Sequence, residues 1–356
     1  MDVTIVVEQL RREKAGGIVT YATGLLQGLR QMGADAPAIT LHASRGEPIH
    51  GFDYPLVTSH LPGRLLTRAW DRGLVGTPGA ADVVHATSLA FPSPSKGPPM
   101  AVMAHDLAWR EVPDAYPARG RRWHEAALQR AIEGSRALIV PATQAADALL
   151  AAGAPAARVH VIEEGADHLP PADVDGAQRL LDRLGVRTDF LLTVGTLQPR
   201  KNLRRLVEAY ALARHELPEP WPLVVVGQKG WGDGGADEVP SGVVLAGEVR
   251  GAELSGLYRK ARCLAYVPLA EGFGLPPVEA MRECTPVVAS PVPSTKGAAL
   301  EVDPLDVAAM AKALVQAAAD DRIRSELVTA GLLRAGELTW EAAARHHVEV
   351  WQGIAR

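Results

Sequence analysis

Short apolar runs recur along the chain, and the stretches between them carry apolar residues three and four positions apart. Many residues in the runs are β-branched, and the clearest runs lie at 3–7, 100–104, 137–140, 190–194, 223–226, 243–246 and 286–289. Such runs are typical of buried strands, whereas the spacing of three and four is typical of one face of a helix. The alternation predicts parallel sheets flanked by helices, which is an α/β fold.

The first predicted helix shows the helical spacing clearly. Its apolar residues fall on one face, which we expect to pack against a sheet: Ile18, Tyr21, Ala22, Leu25, Leu26 and Leu29. Strand–helix units in series give a doubly wound sheet that binds ligands at the carboxyl ends of its strands. Candidate binding residues are therefore expected directly after the apolar runs.

The length of the chain predicts two domains. It has 356 residues, of which 47% are apolar, and this is enough to fill two cores. A segment at about 165–175 is rich in proline and acidic residues and poor in periodic apolar positions. We interpret this segment as a linker, which places one domain at 1–168 and the other at 176–337.

Charge, cysteine content and the length of the apolar runs exclude several classes of protein. The formal net charge is −4, whereas proteins that bind nucleic acid usually carry a clustered basic excess. The two cysteines, Cys263 and Cys284, have no metal-ligand spacing and are expected to be reduced and buried. The amino terminus lacks a signal-peptide pattern, and no run approaches the ~20 apolar residues that span a bilayer. We therefore expect a cytoplasmic protein that binds no nucleic acid.

The segment Glu271-Gly-Phe-Gly-Leu-Pro-Pro-Val-Glu279 is the strongest candidate for a binding site. Its two glycines remove side chains from a turn, and Pro276-Pro277 is tolerated at the start of a helix. The turn amides and the helix N-terminus then form an anion site, and Glu279, in the first helical turn, can bond the vicinal hydroxyls of a ribose. The alternative is that Glu279 only complements the helix dipole or closes a capping box.

A second candidate site follows the apolar strand at 190–194. This strand ends at Gly195, and the cations Arg200 and Lys201 come shortly before a predicted helix. Arginine offers a planar fork for two phosphate oxygens and lysine offers a mobile point charge, so the pair suits a diphosphate. Together they can stabilise the negative charge on a departing nucleoside diphosphate. The alternative is that the pair is solvated surface.

The order and spacing of seven segments resemble the retaining GT-B glycosyltransferases of family 4, also called glycosyl transferases group 1. The matching segments are Asp82-Val-Val-His85, Ala104-His-Asp-Leu-Ala108, Gly195-Thr-Leu-Gln-Pro-Arg-Lys-Asn202, Gly227-Gln-Lys-Gly-Trp-Gly232, Gly247-Glu-Val249, Glu271 to Glu279 and Thr285-Pro-Val-Val-Ala-Ser290. The resemblance implies two Rossmann-like domains facing a cleft. Residues 1–168, with a helix at 338–356 that crosses back to them, would bind the acceptor. Residues 176–337 would bind a nucleotide sugar.

The resemblance also implies roles for individual residues. The catalytic residues that it implies are His105, Arg200, Lys201 and Glu271. The donor-binding residues would be Gly16, Gly17, Gly195, Val249, Phe273, Gly274, Leu275 and Glu279. His85 and Asp106 would lie on the acceptor side. The family histidine that matches His105 lies beside the reacting sugar, although a histidine at a sheet edge is also compatible with a purely structural role. Gly16 and Gly17 would turn their amides towards the donor, or else form a plain strand-to-helix turn. The backbone at Val249 would meet the nucleobase edge.

The activity implied by the resemblance is sugar transfer with retention of configuration. A mannosyl-like sugar or a deoxysugar would move from a nucleotide diphosphate donor to a hydroxyl of a glycan, a lipid-linked sugar or a small molecule. We expect no cofactor and no metal ion, and we interpret Asp173-x-Asp175 as part of the linker, although it imitates a metal motif of other glycosyltransferases. One alternative is a scaffold protein that binds a nucleotide sugar without catalysis, and another is a sugar-nucleotide epimerase or a phosphorylase. A nicotinamide dehydrogenase is disfavoured, because no Gly-x-Gly-x-x-Gly follows the first strand.

Two arginine-rich stretches bear on the acceptor. In the first stretch an arginine occurs every four residues, at Arg64, Arg68 and Arg72, beside the apolar residues Leu65, Leu66 and Trp70. In the second stretch Arg119, Arg121 and Arg122 precede Trp123. These arginines would seat an anionic lipid-linked acceptor or hold the protein at the inner face of a membrane. The alternative is that both stretches are solvated helix faces.

Several positions depart from the family pattern. The usual Pro-Asn-Gly-Val-Asp loop is Glu163-Glu-Gly-Ala-Asp167, and a usual Ser-Glu pair is Thr143-Gln144. The segment after Ser290 is shorter than usual, and Arg282-Glu-Cys284 lacks the glycine that usually ends this stretch. These changes leave the choice of donor open. In the final helix, Trp340 and Trp351 are expected to pack, and His346-His347 is expected to lie at the surface.

Overall fold

The computed structural model describes residues 1–11, 16–77, 79–228 and 240–355. The chain folds into two compact units. Unit 1 comprises Met1–Arg110, Tyr116–His168 and Thr339–Arg356, and unit 2 comprises Glu111–Ala115 and Leu169–Leu338. The end of the chain therefore returns to the unit that contains its beginning.

Strands and helices alternate along the described chain. In chain order, the strands are β1 (Asp2–Val6), β2 (Ala38–Arg45), β3 (Leu56–Pro62), β4 (Val83–Ala86), β5 (Met100–Met103), β6 (Ala137–Val140), β7 (Val159–Val161), β8 (Leu191–Val194), β9 (Leu223–Val226), β10 (Val243–Gly247), β11 (Cys263–Tyr266), β12 (Val287–Ala289) and β13 (Leu300–Glu301). The α-helices are α1 (Gly17–Gln31), α2 (Gly63–Asp71), α3 (Ala108–Glu111), α4 (Ala118–Gly134), α5 (Thr143–Ala151), α6 (Val174–Arg183), α7 (Leu203–Ala213), α8 (Gly251–Lys260), α9 (Leu275–Arg282), α10 (Val307–Ala319), α11 (Asp321–Glu337) and α12 (Trp340–Ile354).

Each unit contains a parallel sheet. The strand order is β3-β2-β1-β4-β5-β6-β7 in unit 1 and β10-β9-β8-β11-β12-β13 in unit 2. All of the paired strands in these two sheets run parallel. In each sheet the chain winds outward in both directions from the first strand, which is the doubly wound topology. The predicted α/β fold with two parallel-sheet domains is confirmed.

The apolar runs located most of the central strands and few of the edge strands. Each of the seven runs is a strand whose bounds differ from the predicted ones by at most one residue. The runs missed β2 and β3, because both carry histidine and serine among their apolar residues. They also missed β7 and β13, which are three and two residues long, and the seven runs do not include the interior strands β4 and β11. A strand at or near a sheet edge is only partly buried, so its sequence need not be continuously apolar.

Helices α1 and α12 of unit 1 pack closely because two glycines of α1 have no side chain. A Cβ atom at Gly24 would lie 2.0 Å from the indole of Trp340, and one at Gly28 would lie 2.0 Å from the carbonyl oxygen of the same residue. Trp340 and Trp351 are fully buried in the core that α1 shares with α12, which confirms that they are packing residues. Trp340 of α12 therefore packs directly against the backbone of α1 at Gly24 and Gly28.

A chain of polar side chains lies inside this apolar core. Tyr21 of α1 contacts two histidines through its hydroxyl, at 2.7 Å from Nε2 of His347 and 2.9 Å from Nε2 of His85. Nδ1 of His347 lies 2.7 Å from the carbonyl oxygen of Ala343, so this nitrogen donates. Nε2 of His347 then accepts from the tyrosine hydroxyl, and the hydroxyl oxygen accepts from Nε2 of His85. With one nitrogen donating and the other accepting, the His347 imidazole is neutral in this arrangement.

Two sequence-based expectations about these histidines are wrong. His347 is 1% exposed rather than at the surface, although its neighbour His346 is exposed. His85, predicted for the acceptor side, is 0% exposed and packs against His347 and Trp351. A side chain without solvent access cannot contact an acceptor, so His85 supports the core. The return of α12 to unit 1 covers both rings.

We expect the stability of unit 1 to fall at mildly acidic pH. Burial lowers the pKa of His347 from 6.5 to about 4, although its bond to the Ala343 carbonyl opposes this, and burial likewise lowers the pKa of His85 well below its usual value. The unfolded chain therefore binds protons that the folded chain does not, so stability is complete above pH 6.5 and declines as the pH falls towards 4. His347 alone should lower the free energy of unfolding by about 2 kcal/mol at pH 5 relative to pH 7.5.

Denaturant unfolding across this pH range measures the effect. His347→Gln should flatten the pH dependence between 6.5 and 4, whereas His346→Gln, at the exposed neighbouring position, should leave it unchanged. A wild-type free energy of unfolding that is constant between pH 7.5 and 5 would contradict the neutral, buried state of His347.

The longer segment of unit 2, Leu169–Leu338, begins within the proline-rich stretch that we interpret as a linker. Asp173 caps α6, because its side chain accepts a hydrogen bond from the backbone N–H of Gly176 at 2.8 Å. Asp175 lies in the first turn of the same helix, where a negative charge is favourable. The Asp-x-Asp pair thus has a structural explanation.

Across the described residues, the structure shows no group of three or more His, Cys, Asp or Glu side chains arranged to hold a metal ion.

Cys284, just beyond α9, is exposed rather than buried, and its backbone has a left-handed conformation. It is exposed, whereas Cys263 is buried, so the prediction of two buried cysteines is wrong for Cys284. Its φ of 60° is left-handed. The N–H of Cys284 donates to Met281 at 3.1 Å, and that of Thr285 donates to Ala280 at 3.0 Å. These bonds end α9 in the manner usually reserved for glycine, so the backbone keeps the glycine conformation although glycine is absent.

Replacing Cys284 with glycine should therefore stabilise unit 2. A non-glycine residue in the left-handed region costs about 1 to 2 kcal/mol, and the greater flexibility of unfolded glycine offsets part of this. We expect Cys284→Gly to raise the free energy of unfolding by about 1 kcal/mol. Cys284→Ala removes the thiol but keeps the Cβ atom, so it serves as the control and should give no increase. Equal effects of the two substitutions would show that the backbone conformation is not the cause.

None of the helices that the structure describes is both long enough and apolar enough to cross a bilayer.

Candidate functional site

The predicted donor-site residues of unit 2 come together at the carboxyl edge of its sheet. Gly195 directly follows β8, and Glu271 lies in the loop after the neighbouring strand β11. Parallel neighbours end at the same edge, so residues that follow these strands lie close to one another. Gly195 has a φ of 157°, and a Cβ atom at Gly227 would lie 2.0 Å from the Gly195 carbonyl oxygen. Two glycines thus let the loops after β8 and β9 approach each other.

Arg200, Lys201 and Glu271 form a compact charged cluster at this edge. Nη1 of Arg200 lies 3.1 Å from Oε2 of Glu271, and Nζ of Lys201 donates to the same oxygen. Tyr266, at the end of β11, joins the cluster through its hydroxyl, which donates to Glu271 at 2.7 Å and accepts from Lys201 at 2.7 Å. Each charged side chain is at most 17% exposed. The cluster therefore holds two cations and one carboxylate largely out of water.

The cluster keeps Glu271 ionised. Burial raises the pKa of this carboxyl group, but Arg200, Lys201 and the hydrogen bonds from Lys201 and Tyr266 together lower it well below its ordinary value. Burial and the nearby carboxylate raise the pKa of Tyr266 well above 10, so its hydroxyl stays protonated and can donate. A carboxylate with a low pKa is a weak nucleophile and a weak base, so Glu271 is suited to orienting cations and hydroxyls.

Asn202 fixes the loop that carries the two cations. It adopts a left-handed φ of 60°, which asparagine tolerates better than most residues. Its side-chain amide donates to the carbonyl oxygens of Val267 at 3.0 Å and Pro304 at 2.7 Å. In addition, the N–H of Leu269 donates to the carbonyl of Arg200 at 2.8 Å. The loop is thereby bonded to the end of β11 from two sides.

Glu279 lies on α9 and is held by a tyrosine. The helix begins at Leu275 after Gly274, whose φ is 96°, and the two prolines occupy its first turn as predicted. Glu279 lies beyond that turn, is 7% exposed, and its Oε2 accepts from the hydroxyl of Tyr258 at 2.6 Å. The prediction that Glu279 lies in the first turn is wrong, and so is the alternative that it caps the helix. Its carboxylate is instead held in place by α8.

The remaining predicted donor residues fall into two groups. In unit 2, Val249, Phe273 and Leu275 are at most 7% exposed, so they offer a ligand mainly their backbone. In unit 1, Gly16 and Gly17 form the exposed beginning of α1, and neither has an atom within 4 Å of where a Cβ would lie. The preceding residues 12–15, and residues 229–232 of the predicted segment after Gly227, lie outside the described residues.

His105 of unit 1 has both ring nitrogens engaged. Nε2 lies 2.9 Å from the carbonyl oxygen of Thr87, and Nδ1 lies 3.4 Å from Oε1 of Glu164. The ring packs against the edge of Tyr21 with centroids 4.8 Å apart. The neighbouring Asp106 accepts a hydrogen bond from the N–H of Ala108 at 3.1 Å and so supports the start of α3. Both predicted residues thus lie at the carboxyl edge of the sheet of unit 1, after β5.

Sequence reasoning missed the two tyrosines and the glutamate that hold the predicted residues. Tyr258 and Tyr266 are buried residues whose hydroxyls need polar partners, and this need is the one signal that the sequence offers. In the sequence, Glu164 stands out only as a departure from the family pattern. The sequence does not reveal that this residue is buried and that its carboxylate faces His105.

Two family models match most of the chain. The model described as Glycosyltransferase Family 4 matches residues 15–168, and the model described as Glycosyl transferases group 1 matches residues 188–320. Each match by itself covers less than half of the chain. The first falls within unit 1 apart from Glu111–Ala115, and the second falls within unit 2.

The chain also resembles individual proteins along much of its length. O-antigen chain mannosyltransferase B of Escherichia coli is 28% identical over 261 residues, which is 70% of this chain and 68% of that protein. Serotype-specific mannosyltransferase WbdA of the same species is 26% identical over 189 residues, and here the chain spans only 23% of the relative.

Solved structures share the fold. Sucrose-phosphate synthase from Thermosynechococcus elongatus has a TM-score of 0.74 at 18% identity, covering 99% of this chain and 98% of that one. Anabaena HepE in complex with UDP-glucose has a TM-score of 0.73 at 16% identity, covering 99% and 100%. Likeness at such low identity shows the fold alone, and that fold is the GT-B arrangement of two parallel-sheet domains. Together, the two family matches and the fold show a Glycosyltransferase Family 4 domain at residues 15–168 and a Glycosyl transferases group 1 domain at residues 188–320.

Proposed function

We propose that this glycosyltransferase moves a sugar from a nucleoside diphosphate donor to a hydroxyl acceptor with retention of configuration. The observation that carries the proposal is the largely shielded cluster of Arg200, Lys201 and Glu271 at the carboxyl edge of the sheet in unit 2. Such an edge is where open α/β sheets bind their ligands. Two cations held there suit a leaving group that gains negative charge.

Arg200 and Lys201 would bind the diphosphate. With Glu271 they carry a net charge of about +1 in the absence of donor, so a diphosphate is attracted to the cluster. Because the site is largely shielded from water, each cation acts on the phosphate oxygens more strongly than it would in solvent. Tyr266 and Glu271 hold both cations in position before the reaction, and preorganised charge of this kind lowers the barrier most effectively.

Glu279 would bind the ribose of the donor. A carboxylate has about four lone-pair positions, so it can accept from the Tyr258 hydroxyl and from vicinal ribose hydroxyls at the same time. Tyr258 keeps its proton, because burial and the nearby Glu279 raise its pKa well above the usual value of 10. The carboxylate thus has an orientation set by the protein before the nucleotide arrives.

Retention would follow the front-face course of the family. Acceptor attack and donor departure share one face of the sugar, and the departing phosphate oxygen takes the proton of the acceptor hydroxyl. The ionised state of Glu271 supports this course, because the cations that lower its pKa make it a poor nucleophile for a covalent intermediate. His105 likewise has its ring nitrogens engaged by Thr87 and Glu164 and is not free to attack the sugar.

For the donor we propose a GDP-mannose or dTDP-deoxysugar type, and the relatives that are named mannosyltransferases support the mannosyl choice. The structure of HepE holds UDP-glucose, so the fold itself admits other bases and sugars. The acceptor would be a hydroxyl of a glycan, a lipid-linked sugar or a small molecule. We place the protein in the cytoplasm and expect it to bind its donor without a metal or other cofactor. Arg64, Arg68 and Arg72 are exposed at α2, which supports peripheral contact with an anionic membrane surface.

A nucleotide panel tests the proposed function directly. We expect one of GDP, UDP, dTDP and ADP to stabilise the wild-type protein against heat, because ligand at a hundred times its Kd adds ~2.7 kcal/mol of stability. Domains of this size should then unfold several degrees higher. Glu279→Ala should lose most of this response, since the ribose contact is removed.

Glu326→Ala is a suitable control, because it also removes a carboxylate from unit 2 but lies on the exposed surface of α11. It should respond to the nucleotide like the wild type. Stabilisation of Glu279→Ala equal to that of the wild type would contradict the ribose role. The absence of any response to the four nucleotides, together with no turnover of any sugar nucleotide, would contradict the function itself.

A further inference from the structure

Glu164 is a buried carboxylate that the established family pattern does not contain. It stands where the usual loop has asparagine, shortly after β7 at the carboxyl edge of the sheet in unit 1. Its side chain is 6% exposed, and its Oε1 lies 3.4 Å from Nδ1 of His105, whose side chain is 17% exposed. A buried carboxylate is costly unless it has a polar partner. The partner that the structure provides is a residue predicted to lie beside the reacting sugar.

The other contacts of His105 define the orientation of its ring. The carbonyl oxygen of Thr87 can only accept, so Nε2 at 2.9 Å carries a hydrogen. Nδ1 then faces the carboxylate of Glu164, and one hydrogen between these two atoms satisfies both. Tyr21 closes one side of the ring with an edge-on contact. Rotation of the ring would break both hydrogen bonds, so the Thr87 carbonyl oxygen and the Glu164 carboxylate together fix the orientation of the imidazole.

We propose that Glu164 is a positioning residue for His105. It holds the imidazole in the orientation in which His105 contributes to sugar transfer, and this rests on the proposed function, in which His105 lies beside the reacting sugar. The present separation of 3.4 Å is long, but bonds of this kind often tighten only when substrate is bound. Asparagine at this position would be one methylene shorter and uncharged, so it would not supply the same contact.

Kinetics of the full chain, with the sugar nucleotide that the panel identifies, test the proposal. Glu164→Gln keeps the shape and an acceptor oxygen but removes the charge, and it should lower kcat by about tenfold. Glu164→Ala removes the acceptor and should lower kcat by about a hundredfold, which is the upper end of the loss found for groups that orient a metal-binding histidine. The KM for the donor should stay within about twofold, since the proposed diphosphate and ribose contacts lie in unit 2. Glu133→Gln, an exposed charge removal on α4, is the control and should behave like the wild type.

A double-mutant cycle separates positioning from a general structural role. If Glu164 acts through His105, Glu164→Gln should have little further effect on kcat in a His105→Asn background. Additive losses would overturn the proposal, and so would an unchanged kcat in Glu164→Gln. Thermal unfolding of each variant shows whether it is folded, and Glu164→Gln keeps the test valid if Glu164→Ala does not fold.

A second measurement needs no donor. Nuclear magnetic resonance of protein labelled with ¹⁵N at histidine, with His105→Asn used to assign the signal, should show a shift of the His105 Nδ1 resonance in Glu164→Gln but not in Glu133→Gln. An unmoved resonance would overturn the proposed contact whatever the enzyme does. If the wild type turns over no donor while the resonance shifts, the proposed function fails and the contact stands, so the two failures are distinguishable.

Discussion

Lys201→Ala is expected to lower kcat by about a hundredfold or more, because the removal of one preorganised donor to a developing negative charge typically costs ~3 to 4 kcal/mol of barrier. Lys201 is only 17% exposed and its ammonium group is held by Glu271 and Tyr266, so it is oriented before the donor arrives. Arg200 cannot replace it, because its guanidinium is tied to Glu271 and to the carbonyl of Ala270. The substitution also leaves Glu271 with one cation fewer.

Initial rates with the donor identified by the nucleotide panel measure this loss. Lys312→Ala, which removes an exposed lysine of α10 in the same unit, is the control and should retain normal turnover. A Lys201→Ala enzyme with near-normal kcat would contradict the assignment of the cluster to the departing diphosphate. A rise in KM with unchanged kcat would place the role of Lys201 in ground-state binding instead.

Gly28→Ala is expected to destabilise unit 1 by about 3 kcal/mol or more, which is the upper end for overpacking a close-packed interior. The new Cβ atom would lie 2.0 Å from the carbonyl oxygen of Trp340, and a backbone atom cannot move aside as the end of a flexible side chain can. Helix α12 would therefore have to withdraw from α1. Its withdrawal would also loosen the bond between Tyr21 and His347, which links the two helices.

Hydrogen exchange measured by mass spectrometry can localise this effect. The amides of α1 and α12 should exchange faster in Gly28→Ala, and thermal unfolding should begin at a lower temperature. Gly120→Ala is the control, because Gly120 lies within α4 with open space where a Cβ would go. It should be neutral or stabilising by up to about 1 kcal/mol, since alanine favours helix more than glycine does. Equal stability of Gly28→Ala and the wild type would contradict the close packing of the two helices.

Much of the fold was predictable from local spacing. The runs at 137–140 and 223–226 match β6 and β9 residue for residue, because a strand buried on both faces must be apolar throughout. The turn before α9 was also predictable, since glycine and proline restrict the backbone wherever they occur. Edge strands such as β3 escaped prediction, because their exposed positions carry polar residues that interrupt the pattern.

The candidate site was predictable only in part. Arg200, Lys201 and Glu271 were identified from their chemistry and their place after strands, and the structure brings them together. His85 was identified in the same way, yet it is buried in the core. The difference arises because α12, from the far end of the chain, covers His85, and no feature near residue 85 indicates this.

The sequence by itself determined the types of the elements, the parallel arrangement of the sheets and the loops that carry charged residues. These features depend on the spacing of apolar residues and on the backbone preferences of glycine and proline, which act over a few residues. The tertiary structure alone decided which side chains meet: Tyr258 with Glu279, Lys201 with Tyr266, and Tyr21 with His347, which are 21, 65 and 326 positions apart. Contacts over such separations arise only when helices and sheets pack, and packing also decides which of these groups lose their water and shift their pKa.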